Sequence, residues 1–251
     1  MSPRSVVITG ANRGIGLGLV HELLKDNGIE ILIATTRRTS SELEAIKDPR
    51  LRILNLEATD DESVDEFVRK VDGIVGEKGL NTLINNAGVM LDYDPKVASG
   101  EVLNEQLNVN LTSVVVLTQK MIPILKRAAD KSLVAGLSTS RSAIINISSG
   151  LASITLNTTG STVGRIGHPA MAYRLSKAAL NQFSKTLATD LKPDNILVVS
   201  FAPGWVRTNL GGPDAMYSVE ESTTDLKKSF EKLNESHNGG YFSKTLEVMP
   251  W

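Results

Sequence analysis

Short apolar runs alternate along this chain with longer amphipathic stretches. "SVVIT" (5–9) has the length and continuous hydrophobicity of a buried strand. Behind it Ile15, Leu19, Val20, Leu23 and Leu24 recur at helical spacing, and Asn27-Gly28 supplies a stop. "IEILIATT" (29–36), "LRILNL" (51–56), "LNTLINNAG" (80–88), "SAIINISSG" (142–150) and "NILVVSFAPG" (195–204) read as further strands. Val64, Phe67, Val68 and Val71 form one face of a charged helix, which opens on a capping-box pattern from Thr59 to Glu62. Residues 105–128 predict a long helix bent near Pro123, and 172–191 predict another, stopped by Pro193. Strands that are apolar throughout, alternating with helices, imply a parallel sheet covered on both faces. The expected architecture is α/β and doubly wound, with about seven strands in one domain over 1–251. Segments 92–100, 129–141, 150–170 and 211–240 lack these patterns and read as loops and short helices.

Composition narrows the function classes. The 251 residues are 41% hydrophobic and 22% charged, which fits a soluble globular domain. A formal net charge of −1, with no basic run, gives no field to attract nucleic acid or anionic lipid. No cysteine is present, which excludes disulfides, thiolate catalysis and cysteine-ligated zinc. No window reaches the roughly 18 apolar residues that span a bilayer. The start, "MSPRSVVITG", shows no run of signal-peptide type, so a cytoplasmic location is expected, with neither membrane nor nucleic acid as partner. His21, His168 and His237 lack metal-ligand spacing, and no metal site is expected.

Gly10, Gly14 and Gly16 sit at the first strand-to-helix turn, "TGANRGIG". Their spacing differs from the common G-x-G-x-x-G pattern, but the physics is shared. Glycines permit a tight turn and let the backbone approach a pyrophosphate at a helix N-terminus. Asn12, Arg13 and Ile15 share that turn. An acid that binds the ribose would be expected about 20 residues on, at the end of the second strand. Thr36 stands there instead, followed by Arg37 and Arg38. Guanidinium groups suit a 2′-phosphate, so the reading favours NADP(H) over NAD(H).

Tyr173 and Lys177 lie four positions apart and share one helix face. An ammonium near a phenol stabilises the phenolate and lowers its pKa, which readies the pair for proton transfer. Ser149, at the C-terminal end of a strand, could hydrogen-bond the same reacting oxygen, since parallel sheets bind ligands at those ends. In isolation such a tyrosine and lysine would more often be a surface pair.

Their company changes the picture. T-G-x-x-x-G-I-G (9–16), N-N-A-G (85–88), Asn110 in a helix, I-S-S (147–149), Y-x-x-x-K (173–177) and P-G-W-V-R-T (203–208) occur in that order. This set resembles the short-chain dehydrogenase/reductase family over nearly the whole chain. "AYRLSKAALN", "PGWVRTNLGG" and "HNGGYF" look most like its Sniffer-type carbonyl reductases. The resemblance implies a Rossmann-type sheet, NADP(H) as cofactor and a small-molecule carbonyl substrate. It makes Tyr173 the acid/base, Lys177 the group that lowers its pKa and binds the nicotinamide ribose, and Ser149, rather than Ser148, the residue that orients the substrate oxygen. Asn110 would hold a water on the proton path. Asn86, Ala87 and Gly88 would pass the adenosine side of the cofactor, Glu57 would meet the adenine, and Pro203, Gly204, Val206 and Thr208 would hold the nicotinamide and phosphate end. The segments 150–170 and 205–240 would form substrate-side loops, with Trp205, Met216 and Tyr217 either walling the pocket or packing beneath it. A homodimer through the helices around 105–128 and 172–191 is also implied. An alcohol dehydrogenase of a lipid or steroid, and a non-catalytic NADP(H) sensor, are the alternatives on the same fold.

Overall fold

The computed structural model describes residues 2–93, 96, 99–158 and 170–251. Seven parallel strands make one sheet: β1 (Ser5–Ile8), β2 (Ile31–Thr36), β3 (Leu51–Asn55), β4 (Thr82–Asn85), β5 (Ala143–Ile147), β6 (Leu197–Ala202) and β7 (Tyr241–Ser243), in the spatial order β3-β2-β1-β4-β5-β6-β7. The order reverses direction at β1, which pairs with β2 on one side and β4 on the other. Such a reversal opens a crevice at the C-terminal strand ends.

Alternate strand residues face opposite layers. Val6 and Ile8 join a core with Leu19, Val20 and Leu23 of α1 (Gly14–Leu24) and Leu226 and Phe230 of α7 (Val219–Glu231). Val7 and Leu83 face the other core, with Val64, Phe67 and Val71 of α3 (Asp61–Val75), Leu117, Met121 and Leu125 of α5 (Ser113–Lys131), and Leu187 of α6 (Met171–Asp190). The remaining helices are a single turn, α2 (Ser41–Glu44), and α4 (Gly100–Leu107).

One polar row crosses the second core. Asn85, Asn146 and Ser200 are in register on β4, β5 and β6. The Asn85 amide donates to Thr118 at 2.9 Å and to Asn146 at 2.8 Å. Asn146 and Ser200 each donate to the Ser184 hydroxyl at 2.8 Å.

Three expectations are corrected. The long helix is not regular: α4 and α5 are joined by a π-helical turn, Asn108–Thr112, and Pro123 lies inside α5, which continues to Lys131. The cap of α3 is Asp60, whose carboxylate accepts from the Ser63 N–H at 2.8 Å, so the capping pattern is one residue later than expected. Segment 211–240 contains the full helix α7, begun by a reciprocal Ser218–Glu221 capping box. Its short apolar face, Leu226 and Phe230 between charges, hid the helical period. Among the described residues no helix is long and apolar enough to cross a membrane.

Candidate active site

The crevice at the strand ends is a cleft of about 1090 Å³, just above the ~300–1,000 Å³ usual for small-molecule sites. The residues expected to contact the cofactor line it, Arg38 excepted: Gly10, Asn12, Arg13, Gly14, Ile15 and Gly16 at the β1–α1 turn, Arg37 after β2, Glu57 after β3, Asn86, Ala87 and Gly88 after β4, Pro203, Gly204, Val206 and Thr208 after β6, and Tyr173 and Lys177 from α6. Ser149 lines it as well. Arg38 is exposed but stands outside the cleft.

The turn before α1 is built for close approach. Gly10 has φ of 63°, and a Cβ there would stand 2.9 Å from Ala87 Cα. A Cβ on Gly16 would stand 2.3 Å from the Gly10 carbonyl oxygen and 2.6 Å from the Asn86 amide nitrogen. The Asn86 amide donates to the carbonyls of Thr9 and Gly10, at 2.9 and 3.0 Å, and so fixes the loop. The α1 N-terminus has no side-chain cap and no acidic residue in its first turn. Its free N–H groups and dipole therefore suit an anion. Arg13 and Arg37 are exposed at the same end of the cleft, and neither pairs with a carboxylate among the described residues. These features fit a phosphorylated dinucleotide. Glu57 also lines the cleft, though its carboxylate accepts from the Thr59 hydroxyl at 2.9 Å.

Tyr173 and Lys177 are buried on the inner face of α6. The Lys177 ammonium donates to the Ile147 carbonyl at 2.8 Å, and burial lowers its pKa to about 8. Burial raises the Tyr173 phenol to about 12, partly offset by its hydrogen bond with the Ser149 side chain. The expected lowering of Tyr173 by Lys177 is thus not what dominates: Nζ is 5.9 Å from the ring centroid and is engaged with the strand. Ser149 caps the short 3-10 turn Gly150–Ala152 and accepts from the Leu151 N–H at 3.1 Å. Ser148 is buried, with no partner for its hydroxyl among the described residues.

Asn110 does not line the cleft; it lies buried behind Gly88, in the π-helical turn. Its amide nitrogen donates to the Val89 carbonyl at 2.8 Å and to Ser176 at 3.0 Å, and its Oδ1 accepts from the Val89 N–H at 2.9 Å. Both amide protons are used, so one Oδ1 lone pair remains for a water. Gln106 secures the same segment, bonding Val89 at 2.7 Å and Leu91 at 2.8 Å.

Trp205, Met216 and Tyr217 all line the other end of the cleft. Met216 is exposed, whereas Trp205 donates to the Gly211 carbonyl and Tyr217 lies under the Lys244 ammonium at 4.3 Å. Met249 and the Ser243–Thr245 stretch, at and after the end of β7, also line the cleft and escape the sequence reading, since no spacing links them to the site. Most of the 150–170 segment, with His168, lies outside the described residues. Among the described residues no cluster of three or more potential metal ligands occurs.

A family model described as short chain dehydrogenase matches residues 4–215. The chain belongs to the short-chain dehydrogenase family. Among solved short-chain dehydrogenases it is 51% identical, with a TM-score of 0.89 and 100% of each chain covered, to a Caenorhabditis elegans protein provisionally assigned as the carbonyl reductase Sniffer. It is 35% identical to the carbonyl reductase Sniffer of D. melanogaster, with a TM-score of 0.92 and coverage of 99% of this chain and 100% of that one. It is 34% identical to an NADPH-bound carbonyl reductase from chicken fatty liver, with a TM-score of 0.93 and coverage of 100% of this chain and 95% of that one.

Proposed function

We propose that this short-chain dehydrogenase reduces carbonyl groups of aldehydes, ketones or quinones with NADPH, and that Tyr173 donates the proton. It is an NADP-dependent oxidoreductase of the Sniffer type, as its likeness to the Sniffer proteins and to the NADPH-bound chicken enzyme supports. The glycine turn and the α1 N-terminus would hold the pyrophosphate, Arg13 and Arg37 the 2′-phosphate, and Val206 and Thr208 the nicotinamide end. When bound, NADPH supplies the hydride.

The chain's own residues supply the proton and the orientation. A phenol held at about 12 is fully protonated at neutral pH, so Tyr173 is poised to give a proton rather than take one. Ser149, hydrogen-bonded beside it, would turn its hydroxyl to the substrate oxygen. Lys177 uses one of its three N–H groups on Ile147, and the other two would serve the cofactor ribose. Asn110 and Gln106 fix the Val89 segment that follows β4 in the cleft wall. The segments 150–170 and 205–240 would shape the substrate end. A homodimer through the helices around 105–128 and 172–191 belongs to the same reading; Met171 and Leu175 are exposed there, and sedimentation velocity tests it.

The observation that carries this reading is the meeting of Ser149, Tyr173 and Lys177 at the strand ends of the cleft that holds the glycine turn. An NADPH-oxidation panel of quinones, aromatic aldehydes, dicarbonyls and steroid ketones tests it. At least one class should turn over, and Tyr173→Phe should lower its kcat by about 10²–10⁴-fold while NADPH still binds. Near-wild-type turnover by Tyr173→Phe would remove Tyr173 from the chemistry.

A further inference from the structure

Ser149 is held from behind by residues far along the chain. Tyr241, on β7 in register with Ser200, is only 1% exposed. Its hydroxyl donates to the Ser149 backbone carbonyl, which also accepts from the Ala152 N–H at 2.9 Å. Both lone pairs of that carbonyl are therefore occupied. The Tyr241 ring stacks on Trp251, with centroids 5.5 Å apart and planes 29° apart. The Trp251 carbonyl in turn accepts from the Thr155 N–H at 2.8 Å and from the Ser153 hydroxyl at 3.3 Å. Met249 closes the frame: its N–H donates to the Tyr241 carbonyl at 2.9 Å, and its side chain packs on Ala152, Ala202 and Tyr241. One stacked aromatic pair thus grips the 149–155 segment at both ends.

We propose that Tyr241, braced by Trp251, is a positioning residue that sets the direction of the Ser149 hydroxyl. A phenylalanine would fill the same space and keep the stack, so the hydroxyl serves the bond to Ser149 rather than the packing. Ser149 follows β5 and has only a short 3-10 turn behind it, so it depends on this outside contact for its aim. The brace acts through Ser149 on Tyr173, and it lies away from the glycine turn and Arg37. It should therefore act on turnover and leave cofactor binding alone. The inference rests on the role proposed above for Ser149.

The test uses Tyr241→Phe and Ser149→Ala, singly and combined, in the full chain. Three quantities are read: kcat for NADPH-linked reduction of an aromatic aldehyde, NADPH affinity by fluorescence titration, and amide hydrogen exchange over 149–155. Tyr241→Phe should lower kcat about tenfold, since a misaimed catalytic group costs rate steeply. It should leave NADPH affinity within about twofold and speed exchange in 149–155 while β5 stays protected. In the Ser149→Ala background it should cost little more, because its effect runs through the absent hydroxyl. Unchanged kcat, an equal loss in both backgrounds, or unaltered exchange would overturn the proposal. If the wild-type protein reduces no carbonyl, the proposed function fails by itself, and the exchange comparison still decides whether the brace exists.

Discussion

The Lys177 ammonium rests on the Ile147 carbonyl at 2.8 Å, at the last residue of β5 and directly before the two serines. A helix side chain and a strand end are thereby tied together at the reacting corner of the cleft. Burial has already lowered this ammonium to about 8, so its charge is lost within an accessible pH range.

On that basis kcat/KM for carbonyl reduction should hold level up to about pH 8 and then fall toward tenfold per unit, as Lys177 loses its proton in the free enzyme. Tyr173, near 12, contributes no limb in that range. A profile that stays flat from pH 7 to 10 would contradict the assignment.

The same group makes a stability prediction. Unfolded lysine titrates at 10.5 and folded Lys177 at about 8, so between these values the unfolded chain binds more protons. Its burial penalty is fully present below pH 8 and is relieved as pH rises to 10.5. Relative to Lys177→Met, the wild-type protein should gain on the order of 3 kcal/mol across that window. Urea denaturation of both proteins at several pH values measures it.

Arg37 stands at the cleft end opposite Tyr173 and has no carboxylate partner among the described residues. Arg37→Ala should therefore raise KM for NADPH about tenfold and leave KM for NADH nearly unchanged, because only NADPH carries the phosphate it would bind. Equal effects on both cofactors would place Arg37 elsewhere in the site.

Asn146 links Asn85 on one side to Ser184 on the other, within a core that is otherwise apolar. Asn146→Ala should cost about 3 kcal/mol of stability, since it strips partners from two buried polar groups. The shift in urea midpoint reads this directly, and NADPH affinity serves as the control.

Much of this layout was legible in the chain because local and global signals agree there. "SVVIT", "IEILIATT" and "SAIINISSG" are apolar throughout, as strands covered on both faces must be, and each appears within two or three residues of its expected bounds. Gly10, Gly16, Tyr173 and Lys177 carry spacing that survives without tertiary context. Tyr241 does not. Its role depends on β7 lying two strands from β5, which no local pattern encodes. The raised pKa of Tyr173 escapes the sequence for a related reason: helical spacing shows which residues are neighbours but not how deeply they are buried.

The π-helical turn at Asn108–Thr112 carries a constraint of its own. Ser113 reaches back to the Asn108 carbonyl, one residue further than an α-helix allows. Each α-helical residue advances about 100° around the axis. A π-helical residue advances less than this, so the wider turn takes up one extra residue at nearly the same total rotation. Leu117 and Met121 therefore stay toward the sheet while Gln106 keeps its hold on Val89 and Leu91. Deleting one residue within the turn would leave both helix faces in phase and displace only what the bulge itself presents, Asn110 among it.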